Sequence, residues 1–163
     1  MAGMKTLLPL AAEIGALLKS RHETIGVSES SSGGLVSAAL LSVPGASAYY
    51  RGGGVIYAAP AFRGLMGLQK SDIEGMRSST EPYARFMAGT IRERVRADWG
   101  LCETGAAGPG GNGYGDDAGH TCVALVGEGV ELSRTLETGL DDREENMRRF
   151  ALEALKLLRS VLG

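Results

Sequence analysis

The stretch Gly26–Leu40, "GVSESSSGGLVSAAL", passes from a short apolar segment through three serines and two glycines into residues spaced as on a helix. With the preceding residues, "ETIGVSE" makes a short strand, and Leu35, Ala38, Ala39 and Leu41 give the helical spacing that follows. A helix opening at Ser30–Gly34 presents unpaired N–H groups and a partial positive charge, and its glycines let an anion approach the backbone. Ser31, Ser32, Gly33 and Gly34 are therefore candidate contacts for a phosphate or carboxylate. Serine is also a favoured helix cap, and two glycines permit tight packing of helix on sheet, so the same residues fit a purely structural turn.

Outward from this turn, helices and strands alternate. Upstream, Leu7, Leu8, Ala11, Ile14, Leu17 and Leu18 repeat at three and four, marking the buried face of a first helix that ends near residue 20. Downstream, Pro44 stops the second helix. A strand is expected at about 51–58 and a helix from Pro60, then a short capped turn at "SDIE". Thr80 and Pro82 open the next helix, with Tyr83, Phe86, Met87, Thr90, Ile91 and Val95 along one side. "GLCETGAAG" reads as a strand, "TCVALVG" and "VELSRTLET" as a hairpin around "EG", and "DDREENMRRFALEALKLLRSVL" as a closing helix. This order predicts a three-layer α/β/α sandwich over 1–163 as a single domain, its mainly parallel sheet taking one antiparallel member from the hairpin. Ligands of such sheets sit beyond the carboxyl ends of the parallel strands, which here means Ser28–Gly34, Tyr57–Phe62 and Thr104–Gly115.

Composition sets the classes to exclude. The chain has 163 residues, 44% hydrophobic and 22% charged, enough for one core without disulfides or metals. A formal net charge of -2 offers no broad attraction to nucleic acid or anionic membrane. Cys102 and Cys122 each lie in an apolar run without metal-ligand spacing and read as buried reduced thiols. "MKTLLPLAAEIGALLKSR" is an amphipathic helix interrupted by Glu13 rather than a signal peptide, and no apolar run approaches the roughly 20 residues that span a bilayer. A cytoplasmic protein is expected.

The second glycine-rich segment, "GAAGPGGNGYGDDAGH", either curls its N–H groups around an anion, through Gly108, Gly110 and Gly111, or serves as a long flexible connection. Asp116, Asp117 and His120 offer metal-ligand types, but in a turn-rich loop this is a common chance occurrence, and no metal is expected. Arg51, Arg63, Arg77 and Arg143 lie near strand ends or helix starts, where a guanidinium fork suits phosphate oxygens. Arg143 opposes the dipole of the helix it opens, and so calls for a further reason to be there.

Four ordered motifs, "ESSSGGL" (29–35), "VPGASAYYRGGGVIYAAPAFRGLMGL" (43–68), "TGAAGPGGN" (104–112) and "LDDREENMR" (140–148), give the chain a resemblance to the C-terminal domain of competence and damage-inducible CinA proteins, the nicotinamide mononucleotide deamidase family. The resemblance covers nearly the whole length. It implies a three-layer fold with a mixed five-stranded sheet, and metal-independent, cofactor-free hydrolysis of the nicotinamide carboxamide to the acid and ammonia. It also implies Ser30 as nucleophile, assisted by Tyr57, Thr104 and Arg143, and the serine–glycine turn, Arg51 and the second glycine loop stand beside these as the candidate substrate contacts read from the residues themselves. The implied partner is a small-molecule nucleotide, and a homo-oligomer such as a dimer fits the resemblance.

The sequence departs from the family pattern at one telling place: the activating lysine falls on Phe62. A serine hydroxyl is a poor nucleophile until a base takes its proton, and a phenyl ring takes none. Arg63 holds its own proton, and Tyr57, Glu29, Glu103, His22 and His120 lie at no spacing that predicts contact with Ser30. After the glycine loop, Asp117 replaces a lysine and His120 a glycine, while Arg77 arrives in "GMRSSTEP" as a compensating cation. Three readings follow: an amidohydrolase using Ser30; a nucleotide-binding protein with lost or altered chemistry, in which Phe62 stacks on a base; and a structural domain in which the motifs only turn the chain. The third requires Ser30, Tyr57 and Arg143 to face different ways.

Overall fold

The computed structural model describes residues 3–163. The parallel part of its sheet is built on β1 (Ile25–Glu29), all five residues buried, flanked by β2 (Tyr50–Val55) on one side and β3 (Trp99–Ala106) on the other. Both flanking strands run parallel to β1. The hairpin of β4 (His120–Gly127) and β5 (Val130–Glu137) completes a five-stranded sheet in the order β2-β1-β3-β4-β5. β4 is antiparallel to both β3 and β5, so it alone runs against the other four. The antiparallel member foreseen from the hairpin is therefore present.

Helices cover both faces. On one, α1 (Leu8–Arg21), α2 (Leu35–Leu41) and α5 (Arg143–Val161) enclose a core with Leu7, Ile14, Leu18, Leu40, Leu155 and Leu158. On the other, α3 (Ala59–Gly64) and α4 (Glu81–Arg94) bury Phe62, Tyr83, Met87 and Ile91. The two-residue period of the strands divides the sheet between these cores. Leu101, Val123 and Leu125 point to the first, and Cys102, Cys122 and Ala124 to the second. Each fully buried leucine contributes roughly 1.5–3 kcal/mol. Both cysteines are free and buried, and burial pushes both thiols up, well up for Cys102.

Local signals account for the helix ends. The Thr80 hydroxyl accepts from the Tyr83 N–H, and the Asp142 carboxylate from the Glu145 N–H at 3.1 Å, so each caps its helix. Strand β2 stops at Val55, short of the expected residue 58, and this leaves Tyr57 outside the sheet and 61% exposed. The carboxyl ends of β1, β2 and β3 and the start of β4 all meet one edge of the sheet, where the functional segments converge.

α4 rides directly over β3 because Gly100 lets it: a Cβ there would lie 1.9 Å from the Ala88 carbonyl oxygen. Gly100→Ala is expected to cost about 1–3 kcal/mol or more, by forcing the helix off the sheet. Gly89, within α4, has open space around its Cβ position, and Gly89→Ala is expected to stabilise by about 0.5–1 kcal/mol. Denaturant midpoints of the two variants check the pair; equal midpoints would contradict this packing.

Candidate functional site

Two buried glutamates organise the serine–glycine turn. Glu29 and Glu103, each 1% exposed, lie side by side, the first at the end of β1 and the second within the neighbouring strand β3. Glu29 accepts from the N–H groups of Gly34, Val36 and Ser37 at 3.1, 3.0 and 2.9 Å and from the Ser32 hydroxyl at 2.7 Å. Glu103 accepts from the N–H groups of Ser30 and Ser32 at 3.2 and 2.7 Å, and from the hydroxyls of Ser31 and Thr121 at 2.6 and 2.8 Å. Gly34, at φ +97°, stands at the cap position of α2, and no serine caps the helix. The anion at this helix end is the protein's own Glu29.

This revises the expected anion cradle. The Gly34 N–H is committed to Glu29 and the Gly33 N–H to the Ser30 carbonyl at 3.0 Å, while Ser31 and Ser32 turn their hydroxyls inward. A phosphate at this turn would have to displace a buried carboxylate. Ser30 differs from its neighbours, since it lines a cleft of about 230 Å3 with Tyr57, Thr104, Ser79, Tyr83, Asn112 and Tyr114. Glu103 does reach Ser30, contrary to the spacing argument, but at its backbone N–H.

Arg143 donates to the phenol oxygen of Tyr57 at 3.2 Å and to the Gly108 carbonyl. It opens α5 because the glycine loop and Tyr57 need a donor there, and Glu144 and Glu145 supply the negative charge that the first turn prefers. Asn146, fully buried one turn on, donates to the carbonyls of Ala107 and Leu140 at 2.8 and 2.9 Å, and so fixes the glycine loop to the helix. Thr104 Oγ1 accepts from the Ser79 N–H at 3.1 Å. Its own proton is thereby left available to the cleft. Ser30, Tyr57, Thr104 and Arg143, from four separate segments, are thus brought together.

Other expected contacts lie elsewhere. Arg51 is the irregular residue near the start of β2, where the register jumps from Tyr50 to Gly52, at the far end of the strand from the cleft. Gly108 meets Arg143 through its carbonyl, while Gly110 and Gly111 lie farther along the loop and do not line the cleft. Arg77 is held by Asp116 in two bonds of 2.7 and 3.1 Å and lies 4.9 Å over the Tyr114 ring, so its charge is already matched. Asp116 and His120 are tied to Arg77, Asn112, Ser79 and Glu137. Phe62 is not available to stack on a ligand base: it is 8% exposed, its ring centroid 6.5 Å from that of Tyr83, behind the cleft wall. Glu103 and Asn146 were the residues that sequence reasoning underused. Their signal was a lone acid in a buried strand and a lone amide on the apolar face of a helix.

Residues 7–162 match the model of the CinA C-terminal domain. The chain belongs to that family. It is 37% identical over 151 residues to a CinA-like protein of Gloeobacter violaceus, covering 92% of this chain and 35% of the relative. It is likewise 37% identical over 156 residues to a CinA-like protein of Desulfosudis oleivorans, covering 95% and 38%. The chain therefore spans little more than a third of the length of these curated relatives. Among solved structures, the competence/damage inducible protein CihA from Agrobacterium tumefaciens superposes with a TM-score of 0.89 at 26% identity, covering 100% of this chain and 98% of that one. The competence or damage-inducible protein from Enterobacter asburiae gives 0.88 at 25% identity, covering 96% and 98%. No helix among the described residues of this CinA domain is long and apolar enough to cross a membrane.

Glu103→Leu would leave two N–H groups and the Ser31 hydroxyl without their acceptor and the Thr121 hydroxyl with only the Thr104 carbonyl, and is expected to destabilise the CinA domain by at least about 3 kcal/mol. Glu103→Gln keeps an acceptor for the N–H groups and lets the hydroxyls reverse, so its cost is expected to be smaller. Urea unfolding of both variants tests this, and a Leu variant as stable as the native chain would contradict it.

Proposed function

We propose that this CinA-family domain binds a nicotinamide nucleotide in the cleft and hydrolyses its carboxamide, releasing ammonia, with Ser30 as nucleophile. The observation that carries the reading is the meeting of Ser30, Thr104 and Tyr57 at one cleft, with Arg143 bonded to Tyr57. The Ser30 oxygen would attack the carboxamide carbon, and the carbonyl oxygen would take negative charge, to which the Thr104 hydroxyl can donate. The proton that Ser30 gives up passes to the amide nitrogen, the carbon–nitrogen bond breaks and ammonia leaves, and water then hydrolyses the ester to the acid and free Ser30.

Turnover on this reading is slow, because the cleft supplies no ready base. Among the described residues, no carboxylate, imidazole or amine lines it. Burial pushes the Tyr83 phenol up to about 12, so that group keeps its proton at neutral pH. Loss of general-base assistance costs roughly 10²- to 10⁴-fold. The same observation favours a second reading, in which the domain retains the nucleotide without turning it over.

Phe62→Lys separates the two. Phe62 stands behind Tyr83, and a lysine stem from there can extend toward the cleft while partial burial lowers its pKa toward that of a useful base. With nicotinamide mononucleotide as substrate, ammonia release is expected to be slow in the native chain, abolished in Ser30→Ala, and raised roughly 10²-fold in Phe62→Lys. A native rate no greater than that of Ser30→Ala would remove the hydrolase reading. Binding in calorimetry without any turnover would establish the second.

A further inference from the structure

His120 stands where the family pattern reads glycine, and the residue is 7% exposed at the start of β4. Both ring nitrogens meet acceptors: Nδ1 the Glu137 carboxylate on β5, and Nε2 the Ser79 carbonyl at 2.8 Å. Neither a carboxylate nor a carbonyl oxygen can donate, so the two bonds coexist only when both nitrogens carry protons. Asp116 Oδ2 lies 3.8 Å from Nε2, with Arg77 behind it, and Cys122 Sγ lies 3.8 Å from the same nitrogen. In its protonated form the ring bridges β5 and the segment that precedes α4.

Ser79 carries this bridge to the cleft. Its φ of +61° lies in the left-handed region, where a residue other than glycine stays only when its surroundings enforce it. The enforcement is visible at both ends of the residue, with the carbonyl on His120 and the N–H on Thr104 Oγ1 at 3.1 Å. Ser79 and Thr104 both line the cleft.

We infer that His120 is a positioning residue: its protonated ring clamps Ser79, and Ser79 in turn fixes the Thr104 hydroxyl as a donor toward the bound carboxamide. The carboxamide in this statement rests on the function proposed above, whereas the clamp itself does not. Burial alone pushes the ring's pKa down, but Glu137, the Ser79 carbonyl and Asp116 outweigh it, and the net shift is upward. The clamp is therefore complete below the ordinary histidine value of about 6.5; as pH rises through the higher folded value the ring gives up one N–H, and with the remaining proton held on Nδ1 by the Glu137 carboxylate, the bond lost is the one to Ser79. Asp116, held down by Arg77, and Cys122, pushed up by burial, keep their charge state through that window.

Two-dimensional NMR of the whole chain from about pH 5.5 to 9 tests the clamp without a ligand. The Ser79 and Thr104 amide resonances are expected to shift with the midpoint of the His120 ring, and to lose that transition in His120→Asn. Glu137→Gln, at an exposed side chain, retains the fold and is expected to move the midpoint down. Resonances of Ser79 and Thr104 that stay fixed while His120 titrates would overturn the inference. Calorimetry with nicotinamide mononucleotide is expected to give about tenfold weaker binding above the transition, and no such change in His120→Asn. A pH-independent affinity in the native chain would also overturn it. A nucleotide that binds at no pH would remove the carboxamide reading and leave the clamp to the NMR result.

Discussion

Two carboxylates placed side by side, one at the end of β1 and one within β3, decide what the opening of α2 can do. Glu29 and Glu103 take five backbone N–H groups and three hydroxyls between them, so a turn that resembles an anion-binding site is closed from within. Burying two such acids is tolerable only because donors surround both. The arrangement leaves one serine of the three facing outward. Ser30 is held by its backbone on Glu103 while its side chain lines the cleft.

The opposite wall is built in a similar way, from groups held at both ends. Arg143 links Tyr57 to the glycine loop, and Asn146 locks that loop to the first turns of α5. Arg77 and Asp116 hold the far side of the loop against the segment that enters α4. The cations near the cleft differ in how they are matched. Arg77 and His120 face carboxylates, whereas Arg143 bonds only a carbonyl and a phenol. On the proposed function, Arg143 is accordingly the cation left to meet an acidic ligand.

Much of the fold was legible because its signals are local. The helical stripe of α1, the Thr80 cap and Pro82 of α4, and the acidic start of α5 each follow from spacing or from end chemistry. The sheet edge that gathers the site followed from the alternation of helices and strands. The role of Glu103 was not legible, because a bond from strand β3 to the Ser30 N–H depends on register between strands 73 residues apart. Arg51 was given to the site because a guanidinium suits a phosphate, although the strand expected at about 51–58 already placed it at the end away from the ligand edge. The serine cap failed on a finer point, since Glu29 reaches the same N–H groups that a capping serine would serve, and with a full charge.

The proposed chemistry turns on whether this supported cleft presents Ser30 to a carboxamide although no base lines it among the described residues. A crystal structure of the chain soaked with nicotinamide mononucleotide measures that directly. The account predicts the carboxamide carbon within about 3.5 Å of Ser30 Oγ, a hydrogen bond from the Thr104 hydroxyl to the carboxamide oxygen, and Glu29 and Glu103 still holding the turn. A nucleotide whose phosphate sits on the Ser30–Gly34 backbone with those carboxylates displaced, or whose ring lies away from Ser30, would contradict it.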